Sequence, residues 1–188
     1  MTADDAELLD HYVRRGAAAL HLSLEAAWLD YELRSFVLGK LPARRPLAVC
    51  NVGIGAGLWD DWLARVVGAP ITSVDRDPDV CRIFALRQAR ERHPFPSLVL
   101  CGDACGGVLG DRRFDVITVV GPTLEAEAAR PASARAPADA DRGRLLRALS
   151  GALLPGGLLL SGEAGTGAAG DRVRTRGDVW LSCQARMG

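Results

Sequence analysis

The stretch Leu47-Ala48-Val49-Cys50-Asn51-Val52-Gly53-Ile54-Gly55-Ala56-Gly57 decides how the rest of the chain is read. It begins as a short apolar run and ends in three glycines at alternate positions. A short apolar run ending in glycines has the profile of a buried parallel strand. The glycines allow a sharp turn and let a ligand approach the main chain. A helix reads directly after them, over 58–67, so its unpaired N–H groups and partial positive charge face the end of the strand. This is a nucleotide-type site at the carboxyl end of a strand, where open α/β sheets bind ligands. A glycine-rich turn without a ligand is the alternative. A dinucleotide fingerprint would need a third glycine three residues after the second, and that position is Leu58. The pattern is therefore GxGxG and not GxGxxG.

Outward from this stretch, strands and helices alternate. The apolar patterns predict strands over 71–75, 98–101, 114–120 and 158–161. They predict helices over 78–92, with Pro78 in the first turn, and over 145–154. Pro155-Gly156-Gly157 reads as a turn before the fifth strand. Segments 172–175 and 179–183 read as a hairpin joined at Arg176-Gly177-Asp178. Two stretches read as loops: 125–143, rich in Ala, Pro and Arg, and 162–171, rich in Gly and Ala. Upstream, 4–39 reads as helical, divided at Gly16, with apolar stripes through Leu8, Leu9, Tyr12 and Val13 and through Trp28, Leu29, Leu33, Phe36 and Val37. Such stripes cannot stand alone and must pack on the downstream part of the chain. The expectation is a single α/β domain over 1–188 with a doubly wound, mainly parallel, Rossmann-like sheet. Its core spans 47–162, with an N-terminal helical cap over 1–40 and a short C-terminal hairpin over 172–184.

Composition narrows the function classes. The chain has 188 residues, 48% apolar and 24% charged, which suits one buried core. Lys+Arg and Asp+Glu both number 23, so the formal net charge is zero. That balance gives no long-range pull toward nucleic acid or an anionic membrane. No uninterrupted apolar run reaches the ~18 residues of a membrane span. The acidic start, Met-Thr-Ala-Asp-Asp, carries no charged segment ahead of an apolar run. The expectation is a cytoplasmic protein. Lys40 is the only Lys, and the Arg residues are spread throughout, which fits compositional bias. Five cysteines without a CxxC pair read as reduced thiols; Cys101-x3-Cys105 has no nearby His or second pair to make a metal site.

Two carboxylates stand at strand ends. Asp75 closes the second strand, 18 residues after Gly57, across from the glycine loop. It can accept two hydrogen bonds from ribose hydroxyls. The alternative is helix capping, for which Asp77 and Asp79, flanking Pro78, are better placed. Asp103 follows Gly102 after the third strand and can accept from an exocyclic amine such as adenine's. Capping the next short helix is its other role, and the two are compatible.

Three features stand in register: Asn51-x-Gly53-x-Gly55-x-Gly57, Val74-Asp75-Arg76 and Gly102-Asp103-Ala104. Phe114-Asp115-Val116-Ile117 and Leu153-Leu154-Pro155-Gly156-Gly157 come after them. This order, over roughly 47–162, resembles the class I S-adenosylmethionine-dependent methyltransferase family. The resemblance implies S-adenosyl-L-methionine as cofactor. Asn51, Gly53, Ile54 and Gly55 would lie against its methionine part, Asp75 would bind the ribose, and Arg76 would stack beside the adenine. Asp103 and the backbone of Ala104 would read the adenine edge. Residues 119–122, with Val120 and Pro122, would line the methyl-donor pocket.

The chain departs from that family in three places. Asn51 stands where Asp or Glu is usual. The fourth strand ends in Val-Val-Gly-Pro and lacks the Asn/Asp-Pro-Pro-Tyr/Phe of amino-methylating nucleic-acid enzymes. The segment after Ser161 is short of a full helix before the hairpin. Methyl transfer is an in-line displacement that relies on holding donor and acceptor aligned, and needs a base only where the acceptor must lose a proton. His11 and Glu163 are the candidate bases. Tyr12, Tyr31 and Pro122 are candidates for the acceptor site. His93, before Pro94, reads as a surface or capping residue. The expected function is methyl transfer to a small molecule. The alternatives are a non-catalytic relative that binds the cofactor or a partner, and an RNA or protein methyltransferase.

Overall fold

A computed structural model describes residues 6–7, 24–43, 46–119, 135–164, 171–174 and 179–186. Within it, β1 (Val49–Val52) runs near the middle of a seven-stranded sheet. In chain order the other elements are α1 (Leu24–Lys40) before it, then α2 (Leu58–Val67), β2 (Thr72–Asp75), α3 (Pro78–Arg90) and β3 (Leu98–Cys101). A single 3-10 turn (Ala104–Gly106), β4 (Phe114–Val119), α4 (Arg135–Gly151), β5 (Leu153–Ala164), β6 (Asp171–Arg174) and β7 (Val179–Ala185) complete the order. The strand order is β3-β2-β1-β4-β5-β7-β6. The first five strands are parallel, and β7 runs antiparallel between β5 and β6. The doubly wound, mainly parallel sheet expected from the alternation is what the chain forms.

Alternation along the strands sorts the core onto the two faces. Cys50 and Val52 of β1 join Ile117 and Val119 of β4 in a cluster with Leu149 of α4. Val49 and Val116 point the other way, into a cluster with Val37 of α1 and Leu63, Ala64 and Val67 of α2. Burying one such leucine or valine contributes about 1.5–3 kcal/mol. α1, which falls within the segment read as a helical cap, packs on the α2 face through Val37. Of the first predicted apolar stripe, Leu8, Leu9, Tyr12 and Val13 lie outside the described residues, as does Gly16.

Three expectations are corrected. The loop predicted over 125–143 gives way to helix from Arg135 onward. Pro137 is tolerated there because the first turn of a helix needs no N–H donor. Pro155-Gly156-Gly157 is not a turn ahead of β5 but a bulge inside it. Phe114 pairs with Leu153 while Val116 pairs with Leu158, so the β5 side holds three extra residues. Gly156 takes φ 73° there and its N–H donates to Arg186 O at 3.0 Å. Finally, β5 continues to Ala164, past the expected end at 161.

The spacing of β5 and β6 leaves too few residues between them for a full crossover helix. Leu160 and Asp171 are both paired with Cys183, so β6 begins level with the middle of β5. Six residues separate Ala164 from Asp171, fewer than the dozen or so that a full crossover takes.

Candidate functional site

The strand order reverses direction at β1, with β2 on one side and β4 on the other. A crevice at such a switch point is where open α/β sheets bind ligands, and the glycine loop leaves β1 at that point. Gly53, Gly55 and Gly57 all have positive φ, at 90°, 53° and 73°. Gly57 caps α2 in the left-handed conformation, and a Cβ there would meet Phe84 Cδ2 at 2.3 Å.

The loop is held from two sides. Asp75 Oδ2 accepts from the Ile54 N–H at 2.9 Å and the Gly55 N–H at 3.4 Å, while Oδ1 accepts from the Asp77 N–H at 3.0 Å. Arg87 of α3 donates to the Gly57 carbonyl at 3.1 Å and pairs with Asp61 of α2. Asp75 therefore stands across from the glycine loop, as the sequence indicated, and also fastens it. Capping of α3 falls to Asp77, whose Oδ1 accepts from the Asp79 and Val80 N–H groups at 3.0 and 3.4 Å. Asp103 accepts from the Cys105 N–H at 2.9 Å, which is the capping role, and remains exposed at the end of β3. Arg76 is exposed beside Asp75, and Ala104 is buried.

Asn51, read from the sequence as a cofactor contact, lies within β1. It is 1% exposed, behind the loop. Its Oδ1 accepts from the Thr118 hydroxyl at 2.7 Å, and its Nδ2 donates to Gly53 O at 3.2 Å and to Asp60 Oδ2 at 3.0 Å. Its oxygen is thus engaged within the core, and the residue reaches the crevice through the Gly53 carbonyl. Period-2 alternation explains this, because Asn51 shares the α2 face with Val49.

Asp60 is the site residue that the sequence reading passed over. It is fully buried, and burial pushes its carboxyl up to about 7; the neighbouring Asp61 charge adds to this, while Ser73 and Asn51 pull the other way. Its signal was its place on the apolar stripe of α2, with Leu63, Ala64 and Val67 at i+3, i+4 and i+7. Trp59 was passed over too. Its indole N–H donates to Thr118 Oγ1 at 3.4 Å, its ring centroid lies 4.8 Å from that of Trp62, and Arg34 of α1 lies 4.9 Å over Trp62.

Of the remaining candidates, Tyr31 is exposed on α1. Glu163 lies on β5 two residues past Ser161, the partner of Val119 at the end of β4. His11, Tyr12, Val120 and Pro122 lie outside the described residues. His93 is a correction: it is buried, and its Nδ1 accepts the Phe95 N–H at 3.2 Å, so it shapes the turn after α3 from inside.

The fold is that of the class I S-adenosylmethionine-dependent methyltransferases, as comparison with solved structures shows. The rRNA methyltransferase aviRa from Streptomyces viridochromogenes aligns with a TM-score of 0.59 at 17% identity, over 84% of this chain and 84% of its own. A protein from Galdieria sulphuraria, assigned as a sarcosine dimethylglycine methyltransferase, aligns with a TM-score of 0.56 at 17% identity, over 72% of this chain and 45% of its own. The [4+2]-cyclase SpnF aligns with a TM-score of 0.53 at 26% identity, over 75% of this chain and 48% of its own. The chain thus spans about half the length of the last two. No family model matches the chain, and no curated protein matches it significantly. No helix among the described residues is long and apolar enough to cross a membrane.

Proposed function

We propose that the chain is an S-adenosyl-L-methionine-dependent methyltransferase whose cofactor lies in the crevice between β1 and β4. The observation that carries this reading is the glycine loop fixed at the switch point, with Asp75 and Asp103 at the ends of the next two strands. In this reading the main chain of Gly53, Ile54 and Gly55 borders the methionine part of the cofactor. The lone pairs that Asp75 retains accept from the ribose, Arg76 covers the adenine, and Asp103 with the Ala104 main chain meets its edge. Val120 belongs to the methyl-donor pocket. The cofactor supplies an electrophilic methyl group, and the chain supplies alignment and exclusion of water. Glu163 and His11 are the proposed bases for an acceptor that must shed a proton. Tyr12, Tyr31 and Pro122 are the proposed acceptor contacts.

The acceptor we favour is a small molecule, in keeping with the neutral net charge and with the assignment of the Galdieria protein. The aviRa likeness supports RNA as a second reading, and zero net charge does not oppose a local basic patch. SpnF shows that a similar fold serves a cyclase, so methyl transfer itself needs its own test. Calorimetric titration with S-adenosyl-L-methionine should give saturable heat that Asp75→Ala abolishes. Turnover to S-adenosylhomocysteine with a metabolite extract, but not with RNA, is the expected second result. No heat with the cofactor would end the reading.

A further inference from the structure

Beneath the glycine loop lies a buried polar layer that the proposed ligand contacts leave unused. Ser73 of β2, Asn51 of β1 and Thr118 of β4 are register neighbours across three adjacent strands. Asp60 of α2 reaches this layer by accepting from Asn51 Nδ2. All four residues are at most 1% exposed. Among the described residues, neither Asp60 Oδ1 nor the Ser73 hydroxyl has a hydrogen-bond partner at good geometry, although Ser73 lies near enough to draw the Asp60 carboxyl down. A carboxyl group in apolar surroundings is held toward its neutral form, and an unmet oxygen adds to that.

Ser73 and Asn51 offset this only in part. On its own helix, the Asp61 charge disfavours ionisation. On β1, the Cys50 thiol is pushed up to about 12 by burial and by Asp60 itself. β2 and β4 bring the Ser73 and Thr118 hydroxyls, of which Ser73 favours the ionised form. α3 brings Arg87, which is engaged by Asp61 and the Gly57 carbonyl. α1 brings Arg34, which lies over Trp59 and Trp62. The Asn51 amide links this layer to the loop, donating to both Asp60 Oδ2 and the Gly53 carbonyl.

We propose that Asp60 is a positioning residue that adds a negative charge beneath the glycine loop, giving up its proton to solvent when a cationic ligand docks there. The resulting carboxylate acts on the ligand as a buried charge behind Gly53, to which it is joined by the Asn51 amide. The inference rests on the cofactor reading above. An approaching cation favours the carboxylate, so affinity rises with pH until Asp60 is ionised in the free protein, which occurs at about pH 7. One linked proton limits the change to about tenfold per pH unit. S-adenosylmethionine carries a sulfonium charge that S-adenosylhomocysteine lacks, so the former should expel more of the proton.

The test is calorimetric titration of the full chain with each ligand, at about pH 6 and about pH 8, in buffers of different protonation enthalpy. The expected result for S-adenosylmethionine is binding up to about tenfold weaker per pH unit below pH 7, with buffer-dependent heat marking proton release. With S-adenosylhomocysteine both effects should shrink. In Asp60→Asn, the affinity should lose its pH dependence and the heat its buffer dependence. Binding of S-adenosylmethionine by the wild type with no proton release would overturn the inference alone. Proton release that persists in folded Asp60→Asn would overturn it too. No binding of either ligand would overturn the cofactor reading and this inference with it. The wild-type titration decides by itself if the variant does not fold.

Discussion

Gly57 joins two demands that no side chain meets together. Its left-handed φ costs a residue with a Cβ about 1–2 kcal/mol, and the added carbon would press into the Phe84 ring. Gly57→Ala should lose at least about 2 kcal/mol, read as a lower urea midpoint at an unchanged slope. Gly55 makes a contrast: its φ is also positive, but a Cβ there meets nothing within 4 Å. Gly55→Ala should therefore cost about 1 kcal/mol in stability while weakening ligand binding, a split that calorimetry and melts can separate. At this scale the sequence was informative where backbone chemistry dictates the residue, as at the glycines, Asp75 and Asp77. It was silent on Asp60, because Trp59-Asp60-Asp61-Trp62 reads as a polar helix start until the neighbouring layer is known. It left the direction of Asn51 open, because a residue near the end of a strand faces either the crevice or the core according to strand phase.

The unit that matters next is the polar layer spanning β2, β1, β4 and α2. Thr118→Val would leave the buried Asn51 Oδ1 without its donor, costing about 1–3 kcal/mol. Asp60 gives this layer a pH signature. Its folded-state value of about 7 lies above the ordinary 3.8, so the unfolded chain ionises first as pH rises. The stability contribution is full below about pH 4, declines as pH rises to about 7, and is level above that. The wild type should lose up to about 4 kcal/mol over this window relative to Asp60→Asn, measured by denaturant melts at several pH values. The elements themselves were legible wherever apolar period and punctuation agreed, as in α2 and β3, whose limits match the sequence reading. α4 was only half legible. Its first turns are Ala- and Pro-rich without an apolar stripe, and its helical state depends on Leu145, Leu146 and Leu149 packing on the sheet. The β5 bulge was hidden because Pro-Gly-Gly signals a turn equally well between strands or inside one.

Across the whole molecule, order along the chain predicted the parallel sheet, whereas the insertion of β7 between β5 and β6 arises from tertiary pairing that no local pattern records. Ile117, fully buried in the central β4, ties the sheet to α4. Ile117→Ala should cost about 2–5 kcal/mol, lowering the thermal midpoint in a single cooperative transition. The identity of the acceptor was not legible, since a fold of this kind hosts several chemistries on the same frame. The two-sided fastening of the glycine loop has one further outcome, in the time domain. With Asp75 gripping its amides and Arg87 its last carbonyl, the segment cannot open unless β2 or α3 also shifts. Its Ile54 amide should exchange with deuterium as slowly as the central strands do, although the next residue, Gly55, is exposed. Ligand capture should then proceed in one exponential phase, because the docking surface already stands in its final shape before any encounter.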